Sequence, residues 1–86
     1  MKNVEMKIYN GNKWETLAKI GSIVTIQKVD EPTMIDAGIV PGMEGVIMGF
    51  EIVKVDGDEF VLVEVDVSEK HISYYFRTEQ LKVTRL

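Results

Sequence analysis

The feature that most constrains this fold is residues 45–67, in which two runs rich in Val, Ile and Phe flank Asp56-Gly57-Asp58-Glu59. Residues that are β-branched or aromatic fit the pleated surface of a sheet. An Asp-Gly pair between two such runs is a strong hairpin signal. We therefore predict a long central β-hairpin, with Gly57 at positive φ in a two-residue turn.

Strand patterns continue on both sides of this hairpin. An Asn10-Gly11-Asn12 turn between short alternating runs predicts an N-terminal hairpin. Trp14 in that hairpin is expected to pack against it or the core, an exposed recognition residue being the alternative. Further strands are predicted over residues 23–29, 72–77 and 81–86, with a 3₁₀ turn at 78–80. The chain should be all-β, and its period-two pattern predicts a core of Val24, Ile26, Ile47, Val61, Val63, Val65, Tyr74, Phe76 and Leu81.

Residues 30–44 form the one long stretch without a strand pattern. Two prolines and two glycines rule out an interior strand or a stable helix there. Connections of this length are often functional, and this one is apolar at Met34, Ile35, Ile39, Val40 and Met43. Some of these side chains should cap the core. Any that face outward would mark a binding surface, whereas a loop packed entirely inward would be only structural.

The length of 86 residues predicts one domain, residues 1–86, with the N-terminal hairpin in 1–19 and the other strands in 20–86. The chain has no Cys, so thiol chemistry and thiolate metal sites are excluded. The sequence shows neither a signal-peptide pattern nor an apolar run of membrane-spanning length. We therefore expect a soluble cytoplasmic protein that makes no membrane contact.

Charge is distributed unevenly along the chain. Residues 30–69 contain eleven acidic residues against Lys54 alone, although the whole chain has a net charge of only −4. An acidic middle segment could present a surface to a basic partner. Alternatively, the acids are a solvated strand surface that prevents pairing with other chains.

The order of elements after residue 20 resembles the SH3-like small β-barrel superfamily. The similarity is to small bacterial and plastid members that serve as accessory subunits of electron-transfer complexes, and it covers Gly21-Ser22-Ile23-Val24-Thr25-Ile26, Gly45-Val46-Ile47 and Glu79-Gln80-Leu81. The resemblance implies a five-stranded barrel whose ligand groove borders the long loop after the first strand. The N-terminal hairpin lies outside it.

The spacing of Gly38, Gly42, Gly45 and Ile47 also resembles the KOW motif of ribosomal proteins and transcription factors. RNA-binding KOW segments usually place Lys or Arg between the glycines. Here the intervening residues are apolar or acidic, so the resemblance implies the turn and not the RNA contact.

The sequence contains no pattern of residues that is typical of a catalytic or metal-binding site. The carboxylates of Asp56-Gly57-Asp58-Glu59 lack the spacing of a calcium loop, and His71, the only histidine, has no second His or Cys to complete a metal site. A Glu64–Asp66 pair on one strand face is ordinary for an exposed strand. We expect no enzyme activity, no cofactor and no metal.

The sequence therefore favours a non-enzymatic module that binds a protein with a basic surface, such as a phage or prophage inhibitor or an accessory subunit. The predicted contact residues are Met34, Ile35, Ile39, Val40, Met43, Glu51, Glu64 and Asp66. The alternative is a KOW-like nucleic-acid-associated module that uses Tyr75, Arg77 and Lys82. The acidic middle segment opposes that alternative.

Overall fold

A computed structural model describes the backbone of residues 6–10 and 13–85, and side chains from residue 18 to residue 85. In chain order the elements are β1 (Met6–Asn10), β2 (Lys13–Ala18), β3 (Ile23–Ile26), α1 (Pro32–Asp36), β4 (Glu44–Val55), β5 (Asp58–Val67), β6 (Ile72–Arg77), a 3₁₀ turn (Thr78–Gln80) and β7 (Leu81–Arg85). The predicted all-β class, the N-terminal hairpin and the 3₁₀ turn are confirmed. The Gly11-Asn12 turn and the Trp14 side chain lie outside the described residues.

Five strands form one antiparallel sheet in the order β6-β5-β4-β3-β7, and β1 pairs with β2 separately. The sheet is open, so the expected closed barrel is not seen among the described strands. Closure would need ladder hydrogen bonds between the edge strands β6 and β7. These strands are six and five residues long, and the 3₁₀ turn carries the chain from one edge to the other.

The central hairpin has the predicted two-residue turn. Asp56 and Gly57 have φ of 52° and 86°, and Val55 pairs with Asp58 across them. Two successive positive φ values fit a type I′ turn, whose twist matches that of the strands. Near the other end, the β4–β5 register shifts between Ile47 and Gly49, so Met48 is the extra residue of a β-bulge.

The core lies on one face of this sheet. Every predicted core residue except Val61 and Tyr74 is fully buried, and those two are half-buried. The strand patterns did not identify Ala18 and Val67, which are also buried, and the core caps expected from the 30–44 segment are Met34 and Ile39. Met34 and Ile39 join the same apolar cluster from the 30–44 segment, so this segment covers part of the core that the strands leave open.

The 30–44 segment contains a helix, which contradicts the expectation of an entirely irregular loop. Pro32 is at its N-terminus, where the missing N–H has no intrahelical role and the fixed φ suits a helix. The helix is only five residues long, and Gly38 at φ 83° follows its end. No helix in the described part of the chain is long and apolar enough to cross a membrane.

A polar cluster joins the start of this segment to the 3₁₀ turn. Arg77 Nη2 donates to both carboxylate oxygens of Asp30, at 2.8 and 2.7 Å. Gln80 is fully buried; its Nε2 donates to Lys28 O and Asp30 Oδ1, and its Oε1 accepts from Arg77 N. Sequence reasoning did not connect Asp30 with Arg77, because no local pattern links residues that are 47 positions apart.

Replacing Asp30 with asparagine should reduce stability in a pH-dependent way. The hydrogen bond from Arg77 holds the pKa of the Asp30 carboxyl below its ordinary value of 3.8. A depressed pKa contributes stability that is present above about pH 3.8 and lost as the pH falls through the folded-state value. The difference in urea midpoint between wild type and Asp30→Asn should therefore be largest near neutral pH and shrink in acid.

The exposed Asp36 provides the matched control, since it forms no ion pair among the described residues. An Asp36→Asn variant should track wild type at every pH. A difference for Asp30→Asn that stays constant down to about pH 2 would contradict the assignment.

Candidate protein-binding surface

The outer face of the β4–β5 hairpin brings together the three predicted acidic contact residues. Glu64 and Asp66 alternate with the buried Val63, Val65 and Val67, so both point away from the core. Glu51 pairs with Leu62 across the ladder and therefore shares this face. We call Glu51, Glu64 and Asp66 the acidic face. None of the three forms an ion pair with any group in the described part of the chain.

One cross-strand row in this face has an unusual composition. Gly49, Glu64 and Tyr75 are directly opposite one another on β4, β5 and β6. A Cβ on Gly49 would lie 3.3 Å from Glu64 Oε1, so the carboxylate extends over the space that a β4 side chain would occupy. Tyr75 is 46% exposed on the other side. The row therefore presents an accessible carboxylate beside an aromatic ring.

The neighbouring carboxylates change the acidity of the Tyr75 phenol. The negative charge of Glu64, followed by partial desolvation and the charge of Glu51, raises the pKa of the Tyr75 phenol above its usual 10.0. Like charges oppose formation of the phenolate. The same potential favours a cationic group that approaches this row.

Neutralising Glu64 should lower the pKa of Tyr75. In Glu64→Gln the main source of repulsion is removed, so the phenol should titrate closer to 10.0. The measurement is a pH titration of the tyrosine ring carbons by NMR, which separates Tyr75 from the other two tyrosines. Glu79→Gln is the control and should leave the titration of Tyr75 unchanged. An unchanged value in Glu64→Gln would show that the two side chains are not close.

The five apolar residues predicted from the 30–44 segment do not form one surface. Met34 and Ile39 are buried in the core, at 2% exposure each. Met43 is half-buried and packs against the same cluster. Ile35 and Val40, at 57% and 51% exposure, face outward. This division corresponds to the expectation that part of the loop caps the core while one or two side chains remain available.

A cleft of about 530 Å³ lies where this segment meets the base of the hairpin. Its lining residues are Val40, Pro41, Gly42, Met43, Glu44, Ser68 and Glu69. Ser68 N donates to Glu44 O at 3.0 Å, which extends the β4–β5 ladder to two residues that line the cleft. Glu44 lies two residues before Val46, which pairs with Asp66, so Glu44 is on the outer face and the cleft adjoins that face. Glu69 is a second acidic residue in the lining of the cleft. Sequence reasoning missed both, because only the register shows their proximity.

The alternative nucleic-acid residues are differently placed. Arg77 is held by Asp30 and lies 3.5 Å from Glu79 Oε2. Tyr75 adjoins two carboxylates. Lys82 is exposed on β7, where it pairs with Thr25 of β3. Two of the three residues thus have acidic neighbours.

His71 is exposed in the turn before β6, at φ 56°. The described residues contain no group of three or more His, Asp or Glu side chains placed to hold a metal ion.

No protein-family model matches this chain, and comparisons with curated proteins and with solved structures gave no match either.

Proposed function

We propose that this protein is a non-enzymatic binding module whose acidic face and cleft contact a partner protein with a basic surface. The observation that carries the proposal is the acidic face itself. None of its outward carboxylates, Glu51, Glu64 and Asp66, has a cation partner in the described structure. Carboxylates that face a basic surface would steer association and fix its register. The exposed Ile35 and Val40 would supply apolar contact area beside them.

The order of elements supports an SH3-like assignment for the five-stranded sheet. A long connection follows the first strand of this sheet, and a 3₁₀ turn precedes the last, as the resemblance implies. A cytoplasmic role as an inhibitor or accessory subunit of the bacterial or phage type accords with the excess of acidic residues. Positive φ at Gly38 and Gly42 accords with the KOW-like spacing, but the acids around Tyr75 favour a protein partner over nucleic acid.

Charge reversal of the acidic face tests the proposal. Glu64→Lys/Asp66→Lys should greatly reduce capture of the native partner from cytoplasm while the near-neutral melting temperature stays close to that of wild type. The association rate of wild type should fall with salt, because the Debye length shrinks from about 10 Å at 0.1 M to about 3 Å at 1 M.

The control is Asp58→Lys/Glu59→Lys, which changes the net charge equally at the tip of the hairpin. It should retain partner capture. The proposal is wrong if the reversed and control variants bind alike, or if labelled RNA or DNA shifts with wild type and no protein is captured.

A further inference from the structure

The central hairpin extends beyond its neighbouring strands. In the described sheet, β3 pairs with residues 44–46 of β4, and the contacts of Ile47 with Gly21 and Ser22 add one more residue. On the other side, β6 pairs with β5 only from Leu62 onward. Residues 49–61, which we call the hairpin arm, therefore pair only within the β4–β5 ladder among the described residues, and the longer free edge is that of β4.

The free edge of β4 presents regularly spaced donors and acceptors. In a two-residue hairpin the residues that flank the turn form a hydrogen-bonded pair, here Val55 and Asp58. Consecutive residues then direct their N–H and C=O groups to opposite sides of the strand, and every second residue directs them to the same side. Phe50, Ile52 and Lys54 must consequently direct theirs outward, toward the unpaired edge.

The two faces beside this edge differ in chemistry. Glu51 and the Glu64 carboxylate lie on the outer face, and Gly49 leaves an open path from the edge to Glu64. On the inner face Ile52, at 69% exposure, is the most exposed of the large apolar side chains that are described. A strand added here would meet carboxylates on one face and an apolar side chain on the other.

We propose that an extended segment of the partner, with Lys or Arg at alternate positions and apolar residues between them, adds to the β4 edge as a strand. This proposal rests on the proposed function and specifies how the acidic face is used. The ladder bonds would be made by Phe50, Ile52 and Lys54. Basic side chains of the added strand would reach Glu51 directly and Glu64 across Gly49, while an intervening apolar side chain covers Ile52.

A second copy of this chain is a poorer occupant of the same edge. Antiparallel self-pairing centred on Ile52 would place the two Glu51 carboxylates on one face with their backbones about 8 Å apart, from the strand spacing and rise. The two carboxylates would repel each other, because this separation is shorter than the Debye length of about 10 Å at 0.1 M salt. A basic strand replaces this repulsion with attraction.

The test uses a blocked heptapeptide of alternating Lys and Val as the probe, at about 50 mM salt, where charge attraction is weakly screened. Binding to the full chain is followed by NMR, with hydrogen exchange read at each backbone amide. The amides of Phe50, Ile52 and Lys54 should become protected. A peptide N-methylated at its central Val and the adjacent Lys cannot form the ladder from either edge, and it should bind at least about tenfold more weakly.

Two variants of Ile52 separate the contribution of its backbone N–H to peptide binding from the contribution of its side chain. Ile52→Pro removes the outward N–H and should weaken binding of the alternating peptide by a similar factor. Ile52→Thr keeps the N–H and should weaken binding of this peptide less. Because the Ile52 N–H is directed away from β5, the proline should leave the β4–β5 ladder intact. Retained protection of the Glu51 and Val53 amides would verify this.

Three results would overturn the proposal. Equal binding of the N-methylated peptide would exclude strand addition while leaving the acidic face as a charge-based contact. Absence of binding by either peptide would exclude the edge, and the proposed function would then depend on the charge-reversal experiment alone. Protection of the same amides without peptide, increasing with protein concentration, would assign the edge to a second copy.

Discussion

Replacing Phe76 with alanine should lower the free energy of unfolding by about 3–5 kcal/mol, the usual range for a buried aromatic ring. Phe76 is fully buried and is among the largest buried side chains described. It lies opposite Val63 on the neighbouring strand and belongs to the core cluster, so truncation removes apolar contacts and leaves a cavity in the core beneath β5 and β6. Urea unfolding at neutral pH, followed by circular dichroism, measures the change.

Tyr75→Ala is the matched control, since the residue is adjacent in β6 but on the outer face and 46% exposed. It should cost about 1 kcal/mol or less. If Phe76→Ala proves too unstable to purify, Phe76→Leu keeps much of the volume and should lie between the other two. Similar losses for Phe76→Ala and Tyr75→Ala would show that the core is not on the side described.

The second large effect is expected from Gly45→Ala. A Cβ at this position would overlap Val65 Cγ1 and would lie 2.7 Å from Asp66 O. One of these neighbours is backbone of β5, which pairs with β4 on one side and β6 on the other and cannot move without distorting the sheet. Overpacking of this kind typically costs about 1–3 kcal/mol, and occasionally more. The Tm of Gly45→Ala, measured in a thermal melt, should therefore be lower than that of wild type.

Gly49→Ala supplies the comparison on the same strand. Its Cβ would meet only a carboxylate oxygen of Glu64 at 3.3 Å, and that flexible side chain can turn aside. The melting temperature of Gly49→Ala should stay near that of wild type. Equal destabilisation by the two alanines would mean that loss of glycine as such, and not crowding, is responsible.

Local signals predicted the parts of the fold that depend on neighbouring residues. Asp56-Gly57 defined the hairpin because few other dipeptides accept two positive φ values, and period-two alternation identified Val63, Val65 and Phe76 as buried. The pairing of β3 with β7, across more than 50 positions, has no local signature. The open sheet could not be predicted either, because closure depends on whether β6 and β7 meet.

The candidate site was predicted less completely. Strand alternation placed Glu64 and Asp66 on one face, and counting back from the two-residue turn puts Glu51 opposite Leu62 on the same face. No pattern revealed the bulge that lets Ile47 face inward on the same strand. In the 30–44 segment, the prolines and glycines obscured the short helix. Within that helix Met34 is buried while its neighbour Ile35 is exposed, because consecutive helical residues point about 100° apart.

The bulge at Met48 also determines which length changes the hairpin can tolerate. Because Met48 is the extra residue, removing it would join Ile47 to Gly49 in an unbroken ladder and leave every other β4–β5 pair in place. Removing a single residue between Gly49 and Val55 would instead move the residues beyond it to the opposite face, because side chains on a strand alternate. Shortening the hairpin arm by two residues from each strand next to the turn would keep the remaining pairs in register and a hydrogen-bonded pair beside the turn. Length variation in related chains should therefore occur as loss of the bulge residue or as paired changes near the tip, while other single-residue deletions in the arm should be rare.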